Sequence, residues 1–331
     1  MYDLVEMMTY KRPQGSDTQK EFCNKYLEPI MGLPDKYGNY VLTVGNKPQV
    51  CFTAHHDTVH KTSGRQKLAV TKDGVVSLKK KSKGECLGAD CTTGIWLICN
   101  MIKAKIPGVY VIHAEEEGGC VGSKSLVDSD PQWLDDVNYV ISFDRYGKKS
   151  IITHQMGRRT ASDKFAKLLA KTLDLPLKPD PNGSYTDSNV YRTKVSECTN
   201  VSVGYYSQHS TEEKQDLVYA YKLLECLLSA DWDQLQYYRD NTVIEMGSPY
   251  GSYYDDWYDD DDYFWGHPPR GYRYDVDAFE TGDNRIYDMI VDYPEEIAEL
   301  LEQLGYTADD LHEILGLQDH GYINEYLERV S

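Results

Sequence analysis

Apolar residues recur along the first 235 positions in two alternating rhythms. Short β-branched and aromatic runs at 39–44, 49–54, 109–114, 138–143 and 200–204 have strand character. Between them, apolar residues fall at helical spacing over 17–31, 92–103, 162–173 and 211–230, with a short helix expected near 123–127. In the last long segment Leu217, Val218, Tyr221, Leu224, Leu227 and Leu228 share one face. A hairpin is expected over 66–78, turning at Lys72-Asp73-Gly74. Strands separated by helices predict an α/β sandwich with a mostly parallel centre. Ligands of such sheets sit at the carboxyl ends of strands, which is where this chain places its polar residues.

The rhythm stops near residue 245. Positions 249–265 are mostly Tyr, Asp, Gly and Trp around four consecutive aspartates, Asp259 to Asp262. A self-repelling run without aliphatic residues predicts a solvated linker. It lacks the spaced oxygens and central glycine of a calcium loop. Aliphatic residues return after 271, and short amphipathic helices are expected at 293–304 and 308–315, with a third candidate at 319–330. The expected division is a body over 1–235, an acidic Tyr/Asp-rich linker over 236–284 and a small acidic helical module over 285–331.

Charge follows the same boundary. Residues 1–235 carry 29 acids and 30 bases, whereas 236–331 carry 24 acids and 5 bases, so the net charge of −18 belongs to the tail. A neutral body with an acidic tail argues against nucleic acid as a ligand, and the tail offers a surface for a basic protein partner. No apolar run is long enough to span a bilayer, and the first residues lack a signal-peptide pattern. The eight cysteines are scattered without a Cys-x-x-Cys pair, so reduced core thiols and a cytoplasmic location are expected.

Candidate chemistry concentrates where strands end. The 109–114 run leads into Glu115-Glu116-Glu117-Gly118-Gly119-Cys120-Val121-Gly122-Ser123. Adjacent carboxylates at the mouth of a buried strand resist ionising together, so they imply a cation to bind or a proton to move. Four other stretches carry ligand-type residues: His55-His56-Asp57, Gly88-Ala89-Asp90, Asp144, and His209 within 205–213. Two imidazoles and several carboxylates at one sheet edge suit two divalent metals sharing a carboxylate.

These motifs resemble the co-catalytic di-zinc metallopeptidase and deacylase superfamily of zinc aminopeptidases, glutamate carboxypeptidase-like and desuccinylase-like enzymes. The matching elements, in order, are Asp35-x-x-Gly38-Asn39, His55-x-Asp57, Asp90 with Gly94, Glu116-Glu117-x-Gly119-x-x-Gly122-Ser123, Asp144 and His209. The resemblance covers about residues 16–230. It implies a three-layer α/β/α sandwich with a mixed, mostly parallel sheet. It implies two divalent metal ions, zinc first, with cobalt or manganese as alternatives. Asp90 would bridge them, His55 and Asp144 would complete one position, and Glu117 and His209 the other. Glu116 would be the general base toward the water between the metals, and Asp57 would orient His55. The chain departs from the family at Cys91, after the bridging Asp, and at His60, where some branches have proline. Only 65 positions separate Asp144 from His209, and a single helix and a loop are expected there. That span leaves no room for the dimerisation insert of many members, so the compact aminopeptidase-like branch is expected and a lid-mediated dimer is not.

The function so implied is cleavage of peptide bonds as an aminopeptidase-like exopeptidase. One alternative is a carboxypeptidase or N-deacylase, with Arg145, Arg158 or Arg159 clamping a substrate carboxylate. Another is a catalytically vestigial scaffold that uses its acidic tail. Substrate preference would depend on the loops at 147–159 and 184–191. His56, His60 and His113 are read as packed neighbours, Cys91 and Cys120 as packed thiols, and Glu115 as having no chemical role.

Overall fold

The computed structural model describes residues 2–80, 82 and 84–243. These lie in the first of two units into which the chain divides, Met1–Tyr258. The expected tail helices, nearly all of the expected linker and the Asp259–Asp262 run fall outside the described residues. No helix among the described residues is long and apolar enough to cross a membrane.

A seven-stranded sheet forms the centre. From edge to edge it runs Lys178–Asp180, Ser150–Ile152, Glu197–Ser202, Tyr139–Arg145, Val50–His55, Gly108–His113 and Tyr40–Val44. The four strands from Glu197–Ser202 to Gly108–His113 are mutually parallel. The Tyr40–Val44 edge strand and the Ser150–Ile152 contact with Val201 are antiparallel, so the sheet is mixed and mostly parallel.

Alternation along the central strands creates two cores. Phe52, Ala54, Tyr110, Ile112, Ile141 and Phe143 face one side. There they meet Phe22 and Tyr26 of helix Asp17–Tyr26, Trp96 and Leu97 of helix Ala89–Lys103, Phe165 of helix Asp163–Thr172, and Leu223 and Leu227 of helix Leu217–Ser229. Cys51, Val109, Val111, Val140 and Cys198 face the other side, against Leu126 and Val127 of helix Val121–Asp128 and against Tyr191. Neighbouring side chains of a strand point to opposite faces, so each strand is buried twice, and three layers result. Two long helices on the first face start at serine caps: Ser16 accepts from Gln19 N and Ser162 from Phe165 N.

Sequence expectations need correction at 211–216 and between Asp144 and His209, and the strand expected at 200–204 lies at Glu197–Ser202. Residues 211–216 are not helical: Lys214–Asp216 is a strand paired with Val75–Leu78, and the helix is Leu217–Ser229. The Thr-Glu-Glu-Lys-Gln-Asp segment has no apolar stripe to bury, and Asp216 caps the helix by accepting from Tyr219 N. The span between Asp144 and His209 also holds more than one helix and a loop. It contains helix Asp163–Thr172, the short Asp187–Val190 turn of helix, and the strand segments Ser150–Ile152, His154–Gln155, Arg158–Arg159, Lys178–Asp180 and Glu197–Ser202. The extra strands are short, with too few residues to show a period.

Lys214–Asp216 belongs to a second, four-stranded antiparallel sheet ordered Tyr205–Tyr206, Lys214–Asp216, Val75–Leu78, Leu68–Val70. The expected 66–78 hairpin forms its outer half.

The described chain ends by folding back on the central sheet. The buried Glu197 carboxylate accepts from the backbone N–H of Tyr238 and Arg239 as well as from Ser162. Arg239 donates to the carbonyls of Arg192, Val195 and Ser196. Arg239→Ala would leave those acceptors without their charged donor, so unfolding in denaturant should shift by about 1.5–3 kcal/mol. An unchanged midpoint would show that the carbonyls find water instead.

Candidate metal centre

Three parallel strands deliver the first residues. His55 ends Val50–His55, Asp144 is the penultimate residue of Tyr139–Arg145, and Glu116 and Glu117 follow Gly108–His113. Strand register places His55 beside His113 at the same carboxyl edge. Asp90 lies at the start of helix Ala89–Lys103 in an extended backbone conformation, φ −81°, ψ 106°, so regular helix begins after it. His209 comes from the loop joining Tyr205–Tyr206 to Lys214–Asp216 of the smaller sheet.

Two close approaches shape this edge. A Cβ on Gly122 would lie 2.3 Å from Ala114 O and 2.5 Å from Asn39 Oδ1. One on Gly94 would lie 2.3 Å from Phe143 O and 2.5 Å from Cys91 Sγ. Both helix starts can therefore dock on the strand ends only with glycine there. Asn39 completes the Glu-loop clamp: its side chain accepts from Ala114 N and donates to Gly122 O and Asp35. The Asp35-x-x-Gly38-Asn39 motif thus pins the loop that carries Glu116.

The residues converge on one acidic cluster. Asp90 stands between the two histidines, Oδ1 at 3.0 Å from His55 Nε2 and Oδ2 at 3.1 Å from His209 Nε2. His55 Nε2 is 3.4 Å from Asp144 and 3.8 Å from Glu116, and His209 Nε2 is 3.3 Å from Glu117. Ligand atoms of Asp90, Glu117 and His209 form one candidate metal group, those of His55, Cys91 and Asp144 a second, and those of His55, Glu116 and Glu117 a third. Asp57 sits beneath, 3.4 Å from His55 Nδ1, and accepts from the backbone N–H of both Glu116 and Glu117. One buried carboxylate thereby orients an imidazole and holds the glutamate loop.

The electrostatics favour a cation. Burial opposes the charge on His55, but Asp144, Asp57 and Asp90 outweigh it and hold the imidazole well above its usual pKa. Hydrogen bonds to Asp90 and Glu117 push His209 up to about 11. Burial also lifts Glu117 above its ordinary value and Glu116 and Asp144 well above theirs, with neighbouring acids adding to each shift. Asp90 and Asp57 differ: imidazole hydrogen bonds overcome burial and hold both low. Glu117 Oε1 and Asp144 Oδ1 are buried without a well-formed hydrogen bond. Imidazole nitrogens, carboxylate oxygens and unsatisfied buried acceptors together fit divalent zinc, cobalt or manganese.

The other candidates have different partners. His56 bonds Gln19 and Gly38 O, His60 bonds Thr58, Gln66 and Cys86 O, and His113 bonds Tyr191. Glu115 turns outward to Gln14. Cys91 donates to Phe143 O, and burial raises its thiol pKa well above the ordinary value, although its sulfur lies within the His55–Asp144 group. Cys120 makes a 3.7 Å contact to Glu116. Arg145 donates to Asn182 O and lies 3.4 Å from Asp180, and Arg159 lies 3.1 Å from Asp163. Arg158 is in the hairpin strand Arg158–Arg159, paired with His154–Gln155.

Two buried acids of the region escaped the sequence reading. Asp187 is pushed up to about 7, chiefly by burial, and its charge raises Glu116 in turn. Glu213 accepts from four consecutive backbone N–H groups, Leu87 to Asp90. Its position four residues after His209 was the available signal, masked by the helical reading of 211–216.

No family profile matches the chain, and no curated protein is similar to it in sequence. Solved structures do match. Aminopeptidase PepT from Bacillus cereus ATCC 10987 superposes with TM-score 0.54 at 15% identity, covering 68% of this chain and 95% of its own. A tripeptidase from Staphylococcus aureus subsp. aureus Mu50 gives TM-score 0.55 at 14% identity, with the same coverage. The TET aminopeptidase of a marine-sediment Thaumarchaeota archaeon gives 0.52 at 12%, covering 68% and 94%. The described chain therefore shares the mixed α/β fold of these structures.

Proposed function

We propose that the chain is a metal-dependent peptidase that removes residues from the amino end of peptides. The observation that carries this reading is Asp90, whose two oxygens each meet a different histidine inside a ring of carboxylates. His55 and Asp144 would hold one ion, Glu117 and His209 the other, and Asp90 both. Bound there, a pair of divalent cations supplies Lewis acidity that activates water at neutral pH and stabilises charge developing on a carbonyl oxygen.

The chain's own residues do the rest. Glu116 makes the longest of the carboxylate contacts to His55, 3.8 Å, and its loop is fixed by Asp57 through the N–H groups of residues 116 and 117. A buried carboxylate so placed can take the proton of an attacking water and return it to the leaving amine. Asp57 keeps the His55 ring oriented through Nδ1, leaving Nε2 turned to the cluster. The fold is shared with structures of an aminopeptidase, a tripeptidase and a TET aminopeptidase, which supports a peptide substrate anchored at its amino end. The carboxylate-clamp alternative gains nothing from Arg145 or Arg159, whose guanidinium groups are engaged by their own chain.

A panel of short peptides with free or blocked amino ends, assayed with zinc, cobalt or manganese, tests the reading. Free-amine peptides should be cleaved from that end. Exclusive cleavage of blocked substrates would favour the deacylase alternative, and no cleavage with any metal would remove the peptidase reading.

Metal loading should release protons. Without metal, both histidines hold protons through the neutral range, because their folded pKa values are raised. Protons therefore compete with the ion, and affinity should strengthen as pH rises. Calorimetric heats of binding should depend on the ionisation enthalpy of the buffer; buffer-independent heats would contradict the protonated resting state.

A further inference from the structure

Glu213 is 1% exposed, and its carboxylate is met by backbone N–H groups. Burying a lone carboxylate is costly unless hydrogen bonds replace its water. Here they do so in part, all from one short turn, while burial still pushes the carboxyl up to about 7. Oε2 accepts from Leu87 N at 2.8 Å and Gly88 N at 3.0 Å, and Oε1 from Ala89 N at 2.9 Å and Asp90 N at 3.4 Å. Four successive N–H groups at a helix start form a natural anion cradle, and the anion is supplied by the chain itself.

The turn so gripped carries Asp90 into the centre. Gly88 has a left-handed backbone, φ +71°, and a Cβ there would lie 2.9 Å from the His60 ring, so the turn is packed from behind as well. On the other side, Glu213 N donates to Ser210 O, closing the loop that presents His209. Ser207 and His209 in that loop both have left-handed backbones, φ 55° and 59°, which non-glycine residues hold only when their surroundings impose it. Two residues on, Gln215 accepts from Thr93 Oγ1 at 2.7 Å and ties the same segment to the next turn of helix Ala89–Lys103.

We propose that Glu213 is a positioning residue of the metal centre, holding the Asp90 turn and the His209 loop in register. The inference rests on the di-metal reading above. Loss of the grip displaces Asp90 from both ion positions, but displaces His209 as well from the one it shares with Glu117. The second ion is therefore weakened more than the first.

The test is zinc titration of the full chain against a chromophoric chelator, for the native protein, Glu213→Gln and Glu213→Asp, with circular dichroism of each metal-free form. Glutamine keeps one acceptor oxygen and turns an amide NH₂ toward N–H donors. The weaker zinc step should then fall by about 10–100-fold, as for other residues that orient ligands, while the tighter step changes less. Aspartate retains the charge and should recover part of the loss, and it decides the matter if the glutamine variant does not fold. Native-like binding of both ions in Glu213→Gln, or equal weakening of both steps in a folded variant, would overturn the role of Glu213 while leaving the di-metal reading intact. A native chain that binds no zinc would overturn both.

Discussion

Glu116→Gln should leave a folded chain that still binds divalent metal but has lost nearly all turnover. The side chain is mostly buried, and among the described residues its side-chain contacts at the cluster are to His55 at 3.8 Å and the weak thiol contact of Cys120 at 3.7 Å. Glutamine is isosteric and preserves these contacts, and the loop is held through backbone N–H groups that the substitution does not touch. What it removes is the capacity to take and return a proton, a function typically worth about 10²–10⁴ in rate. The check is a progress curve on the best free-amine peptide beside a metal analysis of the same sample. Activity within a few-fold of native would place the base elsewhere, and Asp187, a buried acid outside the proposed ligand set whose charge also raises Glu116, would be the first residue to consider. An intact biological effect in a variant without turnover would instead support the scaffold alternative.

Asp90→Asn should have the broadest effect on metal. Each Asp90 oxygen meets a different histidine, so the amide replaces one acceptor by a donor facing an imidazole nitrogen and removes the shared negative charge. Both ions should weaken, and their binding should lose any coupling. By contrast, a substitution at His209 should weaken mainly the position it shares with Glu117. In the metal-free chain Asp90→Asn removes the chief support for charge on His209, so its pKa should fall from about 11 toward the ordinary imidazole range. The NMR titration of His209 measures that shift directly. Retention of two tight ions in Asp90→Asn would mean that Asp90 does not bridge.

Much of this arrangement was legible because its motifs are local and lie next to strands with clear patterns. Val50–His55 and Gly108–His113 are mostly apolar and end in polar residues, so sequence order alone put His55 and the glutamates at one edge. The resemblance, carried by the spacing of Gly119 and Gly122, implied Glu116 and Glu117 as the working pair and left Glu115 without a role; in the structure Glu115 accepts from Gln14. Glu213 was not legible in the same way. Its contacts to Leu87–Asp90 span more than 120 positions, and hydrophobic periodicity carries no record of a carboxylate satisfying distant backbone N–H groups. Lys214–Asp216 was misread for a related reason. Three polar residues have no period, and only pairing with Val75–Ser77 makes them a strand. The strand read at 200–204 lies instead at Glu197–Ser202, since Glu197 is buried by hydrogen bonds that a hydropathy pattern does not register.

The central claim is that this edge of the sheet holds two divalent ions joined by one carboxylate. Titration of the metal-stripped full chain with zinc, followed by calorimetry, tests it most directly. The account predicts two equivalents per chain, bound with proton release that makes the heats depend on the buffer, the second lost when His209 is replaced by alanine. A single equivalent, or none, in the native chain would contradict it.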